Sequence, residues 1–87
     1  MKQVKQVKVY STGWCPYCKM EEAWLKNIKV DHEVVMVDQD ATAAAYIVDK
    51  TGQRGVPVTE IIYEDEPADY VIGFDRPTLQ ALLGVQD

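Results

Sequence analysis

Tyr10-Ser11-Thr12-Gly13-Trp14-Cys15-Pro16-Tyr17-Cys18 is the stretch on which the fold turns. Before it, Val7 and Val9 alternate with Lys8 and run into Tyr10, the period of a strand, and Ser11-Thr12-Gly13 are turn residues. After it, Met20, Ala23, Trp24 and Ile28 recur three or four apart, the period of a helix. This predicts β1 at about 4–10 and α1 at about 16–29. Cys15 then sits at a strand-to-helix junction, where free backbone N–H groups and the positive end of the helix dipole face its sulfur. Pro16 suits the first helical position, since its missing N–H costs nothing there. Cys18 falls one turn in, facing the same sulfur.

Further along, Val34-Val35-Met36-Val37 is a short β-branched run between Asp31-His32-Glu33 and Asp38-Gln39-Asp40. It suits a strand, β2, buried on both faces. Asp40 can cap a helix, α2, over residues 41–50, where alanines favour helix and Gly52 supplies the stop. Val58, Ile61, Ile62 and Tyr63 predict β3, Glu64-Asp65-Glu66-Pro67 a turn, and Asp69-Tyr70-Val71-Ile72 β4, most economically as a hairpin. Leu79, Leu82 and Leu83 place a last helix, α3, at about 76–83, with Asp75 as its N-cap and Gly84 at its end. The order β-α-β-α-β-β-α is that of an α/β fold. Its first β-α-β unit requires a right-handed parallel crossover and its hairpin adds antiparallel strands, giving a mixed four-stranded sheet flanked by three helices.

The chain has 87 residues, 47% of them hydrophobic, and a net charge of −5. That length suits one small domain, against a usual ~100–200 residues. A chain of this size buries only about 60–65% of its unfolded surface, so every layer must pack. The two cysteines are three positions apart and close almost no loop, so they are not a stabilising disulfide framework. No apolar run follows the charged N-terminal residues, so no secretory signal is expected, and no stretch approaches the ~18 apolar residues of a membrane span. An isoelectric point near 4.7 argues against a general nucleic-acid binder. The expected compartment is a reducing cytoplasm and the expected state a monomer. Residues 1–29 hold six bases against two acids, a net +4, and residues 31–87 three against twelve, a net −9. This asymmetry reads either as ordinary solvated faces or as a positive rim around the cysteines.

Two thiols so placed suit thiol–disulfide exchange. An exposed Cys15 with a lowered pKa attacks a substrate disulfide, and Cys18 resolves the mixed disulfide by attacking Cys15. Lys19 favours the thiolate, while Glu21 and Glu22 oppose it. Other uses of the pair stay in view. A zinc site of four ligands would have only His32 to add, one short within a single chain. A structural Cys15–Cys18 bridge would contribute little, and two inert buried thiols fit poorly with a helix start after a Gly-Trp turn.

With Trp14-Cys15-Pro16-Tyr17-Cys18 in hand, the sequence resembles the glutaredoxin family, including the redoxins that act as hydrogen donors to ribonucleotide reductase. The resemblance runs from Val7 to Gly84. Gly55-Val56-Pro57-Val58 looks like the family's loop before β3 with its cis-proline, and Ile72-Gly73-Phe74-Asp75 resembles its glycine turn and acidic cap before the last helix. It implies a thioredoxin-like fold and a dithiol–disulfide oxidoreductase with Cys15 as nucleophile and Cys18 as resolving thiol. It also implies that Val56 and Pro57 present a backbone edge to an extended substrate, and that Gly73, Phe74 and Asp75 offer donors to a carboxylate. No bound cofactor is expected. Electrons would come from glutathione or thioredoxin reductase and pass to a protein disulfide, ribonucleotide reductase being the partner the resemblance suggests. Two departures bear on the reductant. Thr12 stands where glutathione-using members commonly carry a lysine, and Phe74 where many have a small polar residue. Gly73-Phe74, with Arg76-Pro77 nearby, looks more like the redoxin branch.

Trp14 is expected at the cleft edge rather than as a lid on the turn and Trp24 in the core, with Tyr17 projecting outward either as a partner contact or merely into solvent. Arg54 reads either as a cleft residue holding a substrate carboxylate or as a solvated arginine. Gly52-Gln53-Arg54-Gly55 is taken as a loop rather than a nucleic-acid clamp, Glu64-Asp65-Glu66 as an edge that discourages strand pairing, and His32 is given no catalytic role. The rival from another class is a non-catalytic thiol module binding zinc, or an iron–sulfur cluster bridged between two chains by Cys15.

Overall fold

A computed structural model describes residues 3–85. Its elements are β1 (Val4–Ser11), α1 (Pro16–Asn27), β2 (Glu33–Met36), α2 (Ala41–Thr51), β3 (Val58–Tyr63), β4 (Asp69–Ile72) and α3 (Arg76–Leu83). The sheet order is β2-β1-β3-β4. β1 runs parallel to β2, with Val9 opposite Val34, and antiparallel to β3, with Val9 opposite Thr59. The expected hairpin pairs Thr59 with Val71. The mixed four-stranded thioredoxin-like sheet with three helices is therefore the observed architecture.

Side chains alternate across the strands, so the sheet has two unlike faces. Val9, Ile61, Tyr63 and Val71 pack with Trp24 and Leu25 of α1 and Leu79 of α3. On the opposite face Tyr10 and Val58 pack with Ile47 of α2. A carboxylate lies within that second layer. Glu60, 3% exposed, accepts hydrogen bonds from Tyr10 (2.7 Å), Tyr70 (2.9 Å) and Tyr46. A buried carboxylate is tolerable only when so satisfied, and these bonds tie β1, α2 and β4 to β3. Burial, reinforced by Glu60, holds the Tyr10 hydroxyl protonated well above its ordinary range.

Two expectations need correction. β2 is an edge strand covered on one face only: Val35 and Val37 pack toward α2, while Val34 is 38% exposed. A short run of β-branched residues does not distinguish a central strand from an outer one. The second correction rotates α1. Met20 is 53% exposed and Ala23 also faces solvent, whereas the buried face is Cys18, Glu21, Trp24 and Leu25. Trp24 and Ile28 lie on the core side as read from hydrophobicity, but Met20 and Ala23 do not, and the acid in the true stripe hid its remainder.

The helix ends are locally encoded. α1 stops at Asn27 rather than 29, because Lys29 adopts a left-handed φ of 61° and the N–H groups of Lys29 and Val30 bond back to the Lys26 and Leu25 carbonyls. That is a Schellman ending with lysine where glycine is usual. Asp40 caps α2 by accepting from the Ala43 N–H at 3.0 Å, and Gly52 closes it at φ 73°. Asp75 caps α3, accepting from Thr78 N–H at 3.3 Å and Thr78 Oγ1 at 2.7 Å.

The rotated face of α1 is testable. Leu25, fully buried, should cost about 2–5 kcal/mol when changed to alanine. Met20→Ala should stay within about 0.5 kcal/mol, despite its place on the stripe read from sequence. Urea unfolding of the two variants measures both.

Candidate active site

The turn at Thr12–Trp14 carries the chain from the end of β1 to the start of α1. Cys15 is the N-cap of α1, in extended backbone, and Pro16 opens the helix. The Cys15 sulfur accepts the Cys18 backbone N–H at 3.1 Å. The two cysteines form a disulfide with Cα atoms 5.3 Å apart. Cys15 is 8% exposed and Cys18 0%. This corrects the expectation of an exposed Cys15: in the oxidised pair the outer sulfur shows only an edge and the inner one nothing. A reagent approaching from solvent meets Cys15 first.

Tertiary structure brings a distant loop to that edge. The Val56–Pro57 peptide is cis, and the Val56 carbonyl oxygen lies 3.9 Å from Cys15 Sγ. The Pro57 carbonyl in turn accepts the Gly73 N–H at 2.8 Å, and Asp75 N–H donates to the Gly73 carbonyl at 3.0 Å. Gly73 has φ 80°, a conformation side-chain-bearing residues rarely adopt. The Val56–Pro57 loop thus meets Cys15, and the Gly73 turn is tied to that loop behind it.

The predicted site residues separate into groups. Thr12, Trp14, Arg54 and Val56 line a cleft of about 700 Å³ whose floor includes Ile47 and Val48 of α2 and whose rim includes Asp38. Trp14 is 72% exposed at its edge, and Thr12 is buried with no hydrogen-bond partner for its hydroxyl among the described residues. Arg54 is an exposed cation on a mostly apolar wall. Tyr17 projects outward as expected. Phe74 is not among the residues lining this cleft. Its ring packs 5.8 Å from that of Trp24, between α1 and α3. The Asp75 carboxylate is engaged by Thr78, and the Gly73 and Asp75 N–H groups already donate to the Pro57 and Gly73 carbonyls, so the donors expected of that turn are largely spent within the protein. His32 stays in its own loop, with Nδ1 2.9 Å from the Val30 carbonyl. Among the described residues no three or more His, Cys, Asp or Glu side chains are grouped so as to hold a metal ion.

Glu21 reads from the sequence only as a charge opposing the thiolate, and its burial in this region was not expected. It is 0% exposed, one helical turn beyond Cys18 on the same buried face. One carboxylate oxygen accepts from the Thr59 hydroxyl of β3, and the other, Oε1, has no partner among the described residues. Burial pushes its pKa up to about 7, the charge of Glu22 adds to the rise, and the Thr59 bond opposes it. The spacing 18, 21, 25, 28 was the available signal, but an acid in it argued for solvent.

Three comparisons place this geometry among known proteins. A protein-family model described as Glutaredoxin matches residues 7–62. Glutaredoxin-1 of Rhizophagus irregularis is 36% identical over 58 residues, 63% of this chain and 57% of that protein, so the match spans little more than half of that relative. An uncharacterized glutaredoxin-like 8.6 kDa protein in the rubredoxin operon of Clostridium pasteurianum is 30% identical over 77 residues, 88% of this chain and 96% of its own length. The glutaredoxin-like NrdH-redoxin of Escherichia coli superposes with a TM-score of 0.70 over 90% of this chain and 95% of that one; at 24% identity this is a likeness of fold.

Glu21 gives a pH dependence whose sign is fixed. Its pKa is raised from 4.5 to about 7 on folding, so the folded state holds the proton more tightly than the unfolded one. The corresponding stabilisation is complete below about pH 4.5 and lost as pH rises through about 7. The oxidised protein should therefore lose up to about 3 kcal/mol across that window through this group. Glu21→Gln should flatten that part of the profile, measured by denaturant unfolding between pH 4 and 8.

Proposed function

This chain belongs to the glutaredoxin family, and from that premise we propose that it is a dithiol–disulfide oxidoreductase whose Cys15 attacks disulfides and whose Cys18 resolves the product. The observation that carries the reading is the Cys15 sulfur at the helix cap, 3.1 Å from the Cys18 N–H and beside the Val56 carbonyl, with Cys18 fully buried behind it. In the reduced protein that N–H and the helix dipole favour a Cys15 thiolate. The thiolate attacks one sulfur of a substrate disulfide, forming a Cys15–substrate bond and expelling the other sulfur as a thiolate. Cys18, after losing its proton, attacks Cys15 Sγ and expels the second substrate thiolate. The Cys15–Cys18 disulfide is left, the state seen here, and the substrate has gained two electrons.

The cleft supports a protein segment as substrate. Val56 offers backbone polar groups to an extended chain, Trp14 and the α2 wall offer apolar area, and the Thr12 hydroxyl and Arg54 supply polar contacts for a carbonyl or carboxylate. Ribonucleotide reductase is the substrate that the family resemblance suggests, in a reducing cytoplasm and with the protein acting as a monomer without bound cofactor. Electrons arrive from glutathione or from thioredoxin reductase. Thr12 in the place of a lysine removes one cation from a glutathione site and Arg54 leaves another. Gly73-Phe74 with Arg76-Pro77 nearby, which resembles the redoxin branch, favours the reductase.

NADPH oxidation coupled to reduction of a protein disulfide tests the reading. The wild type is supplied with glutathione and glutathione reductase in one arm and thioredoxin reductase alone in the other. Turnover in at least one arm is expected, and in neither would overturn the proposal. Cys15→Ser should reduce turnover to background. Cys18→Ser should accumulate a stoichiometric mixed disulfide and fail to turn over protein disulfides.

A further inference from the structure

The mechanism above leaves one proton without a destination. Cys18 must be deprotonated to attack Cys15, yet it is 0% exposed at the inner end of the pair. In the oxidised state water cannot reach it without an opening of the structure.

Glu21 lies where an acceptor is needed. It is three residues beyond Cys18 on the same buried face of α1, a spacing that brings side-chain origins to about 5–6 Å. Thr59 Oγ1 anchors one carboxylate oxygen and leaves Oε1 buried, with no partner among the described residues. Stability does not account for such a group, since an unsatisfied buried carboxylate costs free energy that an apolar side chain of similar volume would not.

We propose that Glu21 is the buried acid–base group of the resolving thiol, taking the Cys18 proton when the mixed disulfide is resolved and returning it when the Cys15–Cys18 disulfide is reduced. This rests on the oxidoreductase reading of the site. In resolution, the Cys18 S–H proton passes to the Glu21 carboxylate, the Cys18 sulfur bonds to Cys15 Sγ, and the Cys15–substrate bond breaks with its electron pair on the departing substrate sulfur. In reduction, an incoming thiolate attacks Cys15, the Cys18 sulfur leaves with the electron pair, and the Glu21 carboxyl supplies its proton. A group that titrates near neutrality in the oxidised protein can serve in both directions.

Few other charges face this group. On α1 the neighbour is Glu22, which accepts from Ser11 of β1. β3 presents the uncharged Thr59. α3 presents Arg76, held over the Trp24 ring at 5.4 Å, and at the far end of the layer Tyr63 donates to Asp69.

Stopped-flow reaction of the reduced full chain with 5,5′-dithiobis(2-nitrobenzoate) tests both steps. The first nitrothiobenzoate released reports attack by Cys15, and the second reports resolution by Cys18. In the wild type the second release should accelerate through an inflection near pH 7 as the Glu21 carboxylate forms. Glu21→Gln, which keeps shape and polarity, should abolish that inflection and slow the second release at least about tenfold at pH 7.5. Thr59→Val removes the bond that opposes the rise, so its inflection should move to higher pH. An unchanged or faster second release in Glu21→Gln, with the wild-type profile, would overturn the proposal, as would an unmoved inflection in Thr59→Val. Loss of the first release in the wild type would instead sink the oxidoreductase reading, and this proposal with it.

Discussion

The bond from the Cys18 N–H to the Cys15 sulfur joins the architecture to the chemistry. A helix start leaves backbone donors that something must satisfy, and an oxygen-bearing side chain usually does so. Here the first helix uses sulfur. The proposed nucleophile and the helix cap are thus one atom, so whatever fixes α1 against the sheet also fixes the sulfur. Pro16 sets the helix direction from its first residue, while Trp24 and Leu25 hold its inner face against Val9 and Ile61.

From that anchor the rest of the site follows by pairing. β1 lies at the centre of the sheet between β2 and β3, so its C-terminal end and the start of β3 meet where Tyr10 opposes Val58. The residues just before β3, Val56 and Pro57, arrive beside Cys15 for that reason. Gly73 is drawn in through its bond to the Pro57 carbonyl. The two sheet faces then differ in what they bury. Under α2 a carboxylate is fully committed to three tyrosines, whereas under α1 a carboxylate is held by one hydroxyl and has an oxygen without a partner among the described residues. The first arrangement fastens layers together. The second puts a titratable group one helical turn beyond the inner cysteine, on the same buried face of α1.

Much of this was legible in one dimension. The element order, the hairpin, the caps at Asp40 and Asp75 and the stops at Gly52 and Gly84 are local properties, since each depends on backbone groups within a few residues. The Cys15–Pro16–Cys18 junction was legible for the same reason. The edge position of β2 and the solvent-facing Met20 were not, because each depends on which neighbour covers a strand or helix face. Phe74 shows the same limit: its neighbours in sequence suggested a cleft, and its ring went to Trp24.

By itself the sequence determined where chain direction changes and which atoms could react, because turns, caps and helix starts are settled by short-range sterics and hydrogen bonds. Only the tertiary structure decided which atoms meet. It set the Val56 carbonyl against Cys15, hid Cys18, and closed the core over Glu21, and that last enclosure reverses the meaning of the residue. An acid reads from sequence as solvated surface because its charge is stable only in water, and it acquires a proton near neutrality only when the sheet and two helices have taken the water away.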